Sequence, residues 1–453
     1  MRVYLFTLAV LMFGHPLKGQ APAQTDARIY DIIESVSADR IESDIRRLAN
    51  FGTRHTLSDT VSTTRGIGAA RRWIRSEFEK ISADCGGCLE VIEQRGLVKA
   101  GVSRRIPTDT WVVNEMAIKR GSQFPNRYII MSGDIDSRIS NANNATDDSP
   151  GANDNASGMA GVIEAARVLS KYDFPTSIIF VGLSGEEQGL FGGKHMAAEA
   201  KKAGWDIIGV LNNDMIGNIE GVDGIIDNRS FRIFSETSSS EPTRQQTIWN
   251  RFYGGEVDGP SRQLARYVHR MTTTYMPEMK PKLVYRLDRF GRGGHHRPFN
   301  DEGFAGIRIM ETHENYNRQH QDIRTENGIE YGDVIEGVNF EYAAKLTAVN
   351  AINLASIAWA PHNPTLLEIG GVVRPSTRLR WTVPVDENIA GFKIYWRDTT
   401  APQWEHSVFV PLGVTDHTLE KVIIDNFLFG VASVNKEGHE SVVVYPRTLI
   451  PRR

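Results

Sequence analysis

Two cysteines in 453 residues, Cys85 and Cys88, exclude a disulfide-built scaffold and a zinc site made of thiolates alone, which needs four donors. Their Cys-Gly-Gly-Cys spacing predicts one small disulfide loop between a helix and a strand. Long apolar runs are also missing. None reaches the roughly 20 residues that cross a bilayer, so no membrane span is expected in the mature chain. Positive charge is not in excess either: 52 Lys and Arg stand against 55 Asp and Glu, for a net charge of −3. The basic residues are scattered among acids, which argues against a nucleic acid partner.

At 453 residues the chain is too long for one ordinary core, and two folded domains are expected. Met1-Arg2 followed by a short apolar run to Phe13, then Gly19, Ala21 and Ala23, reads as a signal peptide over 1–23, cut between about 19 and 24. A secreted or periplasmic location follows from that reading.

The stretch from Tyr128 to Asn218 carries the chemistry. Three apolar runs deliver carboxylates at their ends: one leads to Asp134 and Asp136, one to Glu186 and Glu187, one to Asp214. Between the first two, Asp154 precedes an amphipathic helix. Apolar runs separated by helices argue for a mixed, mostly parallel sheet flanked by helices, with ligands outside the carboxyl ends of the strands. So many acids at one sheet edge repel one another unless divalent cations lie among them. Further along, a Gly-rich loop holds Gly294, His295 and His296, and a polar loop holds His313 and His320. His55 and His195 lack partners in sequence and read as structural.

Leu89–Ile92 and Thr110–Ile118 read as an edge hairpin, and the polar segment Ser235–Arg251 as a surface loop. A helix predicted over Asp333–Trp359 closes a first domain, 24–360. After the Pro361-His-Asn-Pro364 linker, short alternating strands predict an all-β sandwich over 361–453, including a strand at Lys421–Asp425. Trp381, Tyr395, Trp396 and Phe429 are expected to form its core. The linker suggests that this module is dispensable for chemistry.

At Glu186-Glu187 and Asp214-Met-Ile-Gly the chain resembles the co-catalytic zinc exopeptidases related to bacterial leucyl aminopeptidase, glutamate carboxypeptidase and, with one metal, glutaminyl cyclase. The resemblance spans roughly 41–358, and the C-terminal part is similar to fibronectin type III modules. It implies that Asp154 bridges two metal ions, that Glu187 and His320 complete one site, and that Asp134 and Asp214 complete the other. Glu186 would be the general base on a metal-activated water, with Asp136 supporting it, and the loop Gly294 to His296 would offer an oxyanion donor. Asp134 stands where the family has His, and His295-His296 where close relatives have Asp-His. An all-oxygen site at Asp134, Asp154 and Asp214 suits manganese or magnesium better than zinc. The expected activity is that of an exported metal-dependent aminopeptidase acting on peptides or small proteins. A mononuclear relative, either a weak peptidase or a cyclase-like acyl transferase, is the alternative enzyme, and a non-catalytic binding protein with the same fold is the alternative outside enzymes.

Overall fold

The computed structural model describes residues 21–22, 25–236, 239–255, 257–286 and 290–451. The signal-peptide reading therefore lies almost wholly outside the described residues. Eight strands form the main sheet: β1 (Leu89–Val98), β2 (Thr110–Lys119), β3 (Phe124–Asp134), β4 (Thr176–Leu183), β5 (Asp206–Asn213), β6 (Ser230–Ser235), β7 (Lys280–Val284) and β8 (Gly306–Glu311). Their order is β1-β2-β4-β3-β5-β8-β6-β7. The centre, β4-β3-β5-β8, is parallel, while β1, β2 and β6 run antiparallel to their inner neighbours. The edge hairpin is present as β1 and β2.

Helices cover both faces. The α-helices among the described residues are α1 (Ala27–Ser35), α2 (Ala38–Ala49), α3 (Gly66–Asp84), α4 (Ala156–Leu169), α5 (Glu186–Gly189), α6 (Phe191–Lys202), α7 (Arg244–Tyr253), which buries no residue, α8 (Pro260–Tyr275), α9 (His296–Asp301) and α10 (Phe340–Trp359). The period-two pleat divides the central strands between two cores. Ile129 and Met131 of β3 pack with residues of α4 and α10, whereas Ile130 joins Met196 of α6 and Phe299 of α9 on the other face. Strands buried on both faces must be apolar throughout, which is why they were legible as continuous runs.

Part of the segment expected to be a polar loop contains α7, which Thr243 opens with a capping box completed by Gln246. The last long helix starts at Phe340, capped by Asn339, because a short 3-10 turn at Ile335–Gly337 precedes it. Cys85 and Cys88 are disulfide-bonded just after α3.

Beyond Pro361 the strands are Thr365–Gly370, Thr377–Thr382, Ile389–Asp398, His406–Pro411, Asp416–Leu419, Phe427–Asn435 and Thr448–Leu449, in sheets of four and three. Leu379, Trp381, Phe392 and Phe429 from the two sheets share one apolar cluster, so Trp381 and Phe429 are core as expected; Trp396 is only partly buried against it, and Tyr395 lies in a separate small cluster with Ala432 and Val443. Lys421–Asp425 forms no strand; Asp416–Leu419 pairs with Thr377–Arg380 instead. The module does not hang free. Asp258, Arg266 and Arg397 form a buried ion-pair group across its boundary, with Arg397 Nη2 3.2 Å from Asp258 Oδ2. Among the described residues no helix is long and apolar enough to cross a membrane.

Candidate metal centre

Because β3, β4 and β5 run parallel, Asp134, the Glu186-Glu187 pair and Asp214 emerge at the same edge. Gly185, at φ +74°, turns the chain from β4 into α5 and brings both glutamates over that edge. Asp154 arrives from the loop before α4, whose N-cap Asn155 accepts the Gly158 N–H at 3.0 Å. The acids converge on a cavity of about 770 Å³ that Asp154, Glu186, Glu187, Asp214 and His320 all line.

Donor atoms of Asp154, Glu187 and His320 lie within 4.8 Å of one another. His320 Nε2 is 2.9 Å from Asp154 Oδ2 and 2.8 Å from Glu187 Oε1. This mixed nitrogen and oxygen set, open to the cavity, fits one zinc ion of the catalytic type. Arg138 closes the back of the group: its Nε donates to Glu187 Oε2 at 2.6 Å, and its Nη2 lies 2.6 Å from His320 Nδ1. A guanidinium on Nδ1 leaves the proton on Nε2, so an ion bound there displaces that proton. Burial opposes ionisation of Glu187, but His320 and Arg138 outweigh it and hold the carboxyl down at about 2.

Glu186 differs from its neighbour. Its carboxyl accepts no hydrogen bond among the described residues, and burial followed by the charge of Glu187 pushes it well above the usual range. Asp136 holds the pair from below, its Oδ1 accepting the Glu186 N–H and its Oδ2 the Glu187 N–H, each at 3.1 Å. Thr56 Oγ1 donates to the same carboxylate at 3.0 Å.

The second predicted set is spoken for. Asp134 Oδ1 lies 2.6 Å from His295 Nδ1, and Asp134 Oδ2 accepts from Asn155 Nδ2 at 2.7 Å. Asp214 Oδ2 is 2.8 Å from Arg308 Nη2. Asp134 and Asp214 thus face internal partners, and neither joins the group formed by Asp154, Glu187 and His320.

The oxyanion candidates are corrected by their burial. His295 is turned to Asp134 and His296 to Glu236, whose Oε2 lies 2.8 Å away, and neither ring has any exposure. A Cβ on Gly294 would meet Asn212 Oδ1 at 2.6 Å, and Gly294 does not line the cavity. From that loop and the start of α9 it is Gly291, Arg292, Gly293, Arg297 and Pro298 that line the cavity. His55 is structural, its Nε2 2.9 Å from the Ala142 carbonyl.

Four residues escaped the sequence reading. Arg54, fully buried, donates to the carbonyls of Ile135 and Gly151 at 2.9 Å each, tying the Asp134 and Asp154 loops together. Asp333 accepts the backbone N–H groups of Asn153 and Asp154 at 2.8 and 2.7 Å. Arg138 and Arg308 are the others. Arg308 had a signal, a lone charge inside the apolar strand Gly306-Ile-Arg-Ile-Met310. Arg54 and Asp333 sit in polar turns and had none.

An α/β sheet carrying an acid cluster and one histidine at the carboxyl ends of its strands is the layout of a metal-dependent hydrolase. The family model of peptidase family M28 matches residues 115–334. A probable zinc metalloprotease of Pyrenophora tritici-repentis is 39% identical over 433 residues, 94% of this chain and 88% of that one. Another, from Leptosphaeria maculans, is 40% identical over 423 residues, 93% of this chain and 97% of the relative. The chain belongs to peptidase family M28. Among solved structures it is similar in fold to the LapA aminopeptidase of Legionella pneumophila, with TM-score 0.54 and 17% identity over 76% of this chain and 78% of that one. It is similar too to the glutaminyl cyclase of Macrostomum lignano, with TM-score 0.51 and 14% identity over 74% and 94%.

Proposed function

We propose that this zinc metallopeptidase is an exported aminopeptidase that hydrolyses N-terminal peptide bonds, with Glu186 as the general base. The observation that carries the reading is the contrast between adjacent glutamates. Glu187 is ion-paired and converges with Asp154 and His320, while the Glu186 carboxyl accepts no hydrogen bond among the described residues and is pushed upward by burial and by the charge of Glu187, which leaves it the freer of the two to carry a proton.

Asp154, Glu187 and His320 would hold the ion, which supplies Lewis-acid polarisation and a more acidic water when bound. The protein's own groups do the rest. Glu186 accepts the proton of the attacking water and returns it to the leaving amine. Asp136 fixes the backbone from which both glutamates project. Arg308 and Arg292, beside the cavity, bring positive charge to the developing oxyanion in place of the buried His295 and His296, although their terminal nitrogens already donate to Asp214, Gly293 and Glu314.

Export is supported by the apolar N-terminal segment and by the Cys85–Cys88 disulfide, which fits an oxidising compartment. We place the boundary between the peptidase body, 24–360, and a fibronectin type III-like module, 361–453, at the end of α10.

The test is metal analysis of the purified protein together with a panel of aminoacyl anilides and an N-terminal glutaminyl peptide. Zinc-dependent release of aniline supports the reading. Ring closure of the glutaminyl peptide without anilide cleavage would replace it with the cyclase alternative.

A further inference from the structure

We infer that the Arg308 guanidinium stands where the second cation of a co-catalytic pair would act, so that this centre takes one metal ion rather than two. The inference deepens the proposed metal site and rests on it.

Strand β8 delivers the arginine. It pairs in parallel with β5 so that Arg308 lies opposite Asn212, two residues before Asp214. Arg308 is 3% exposed and Asp214 4% exposed, and Nη2 meets Asp214 Oδ2 at 2.8 Å. The guanidinium is held from a second side, because Nη1 donates to the Gly293 carbonyl. Gly294 is packed against it, with room for no side chain: a Cβ there would come within 3.2 Å of Arg308 Cδ. The arginine is fixed in place before any ligand arrives.

The remaining donors of the second set meet only neutral hydrogen-bonding groups or are shared, and a carboxylate so held can still take a metal ion. Asp134 uses one oxygen on His295 and the other on Asn155. Asp154 is shared with the first group. An ion bound to Asp214 Oδ2 at the usual ~2.1 Å would lie no more than about 5 Å from Arg308 Nη2, and two cations that close in a buried site repel strongly. One fixed positive charge thus balances Asp214, and a chelator cannot remove it.

The experiment counts metal. The protein is stripped with chelator, dialysed, and titrated with zinc by calorimetry, with bound zinc measured by mass spectrometry. Wild type is expected to bind one tight equivalent. Arg308→Met, which keeps the stem and removes the charge, is expected to bind two. Asp214→Asn, a milder change that guards against misfolding of the first variant, is expected to stay at one. Two tight equivalents in wild type, loss of one equivalent in Asp214→Asn, or a folded Arg308→Met still at one would each overturn the inference. No zinc bound to wild type would overturn the metal site itself, and the inference with it.

Discussion

The Asp136 carboxylate accepts the backbone N–H of Glu187 through Oδ2 at 3.1 Å, and through Oδ1 it accepts that of Glu186 at the same distance. One buried side chain thereby aims both glutamates. Asp136→Asn can present one acceptor where two are needed, and its amide hydrogens face an N–H. We expect kcat to fall by about 10-fold to 100-fold with KM little changed and zinc content intact, since positioning alone is damaged. An unchanged kcat would remove the positioning role.

Glu186→Gln keeps the shape of the free carboxyl and removes its capacity to take a proton. Turnover should fall by roughly 10²-fold to 10⁴-fold, the usual cost of losing a general base, while zinc binding and melting temperature stay at the parent's values. Activity within a few-fold of the parent would sink the assignment.

Glu115 lies across from Glu93 in the β1–β2 register and is 1% exposed, with Oε2 unpartnered. Burial, then the charge of Glu93, push its carboxyl up to about 8. The folded value lies above the model-peptide value of 4.5, so the neutral form favours the fold. Its contribution is fully present below pH 4.5 and is lost as pH rises through about 8. Glu115→Gln should flatten the decline of stability across that window by on the order of a few kcal/mol, read from denaturant titrations at several pH values.

Truncation after Pro361 should fail to give a stable enzyme, against the expectation from the linker. It would strip Arg397 from Asp258, and Glu440 from Arg270, whose Nη1 lies 3.0 Å away. Asp258→Ala in the full chain isolates the first effect: it leaves Arg266 and Arg397 buried without a counter-charge. The expected cost is about 3–5 kcal/mol, measured by urea unfolding. A soluble truncated chain with the parent's stability would show that the interface contributes nothing.

Much of this was written in local sequence. The central strands are apolar along their whole length because helices cover both faces, and the parallel order of β3, β4 and β5 then forces Asp134, Glu186, Glu187 and Asp214 to one edge. Asp154, Glu187 and His320 were named as one ligand set from the family resemblance, and the fold brings their donor atoms together. Local sequence could not say which acids were free. Whether Asp134 and Asp214 face a metal ion or a protein partner depends on His295 and Arg308, 161 and 94 positions away along the chain. Those partners are set by strand register and by the packing of Gly294, properties of the assembled sheet. The sequence by itself determined where the charge would gather; the tertiary structure decided how each charge is balanced, because in a buried site that balance depends on neighbours a few ångströms away in space.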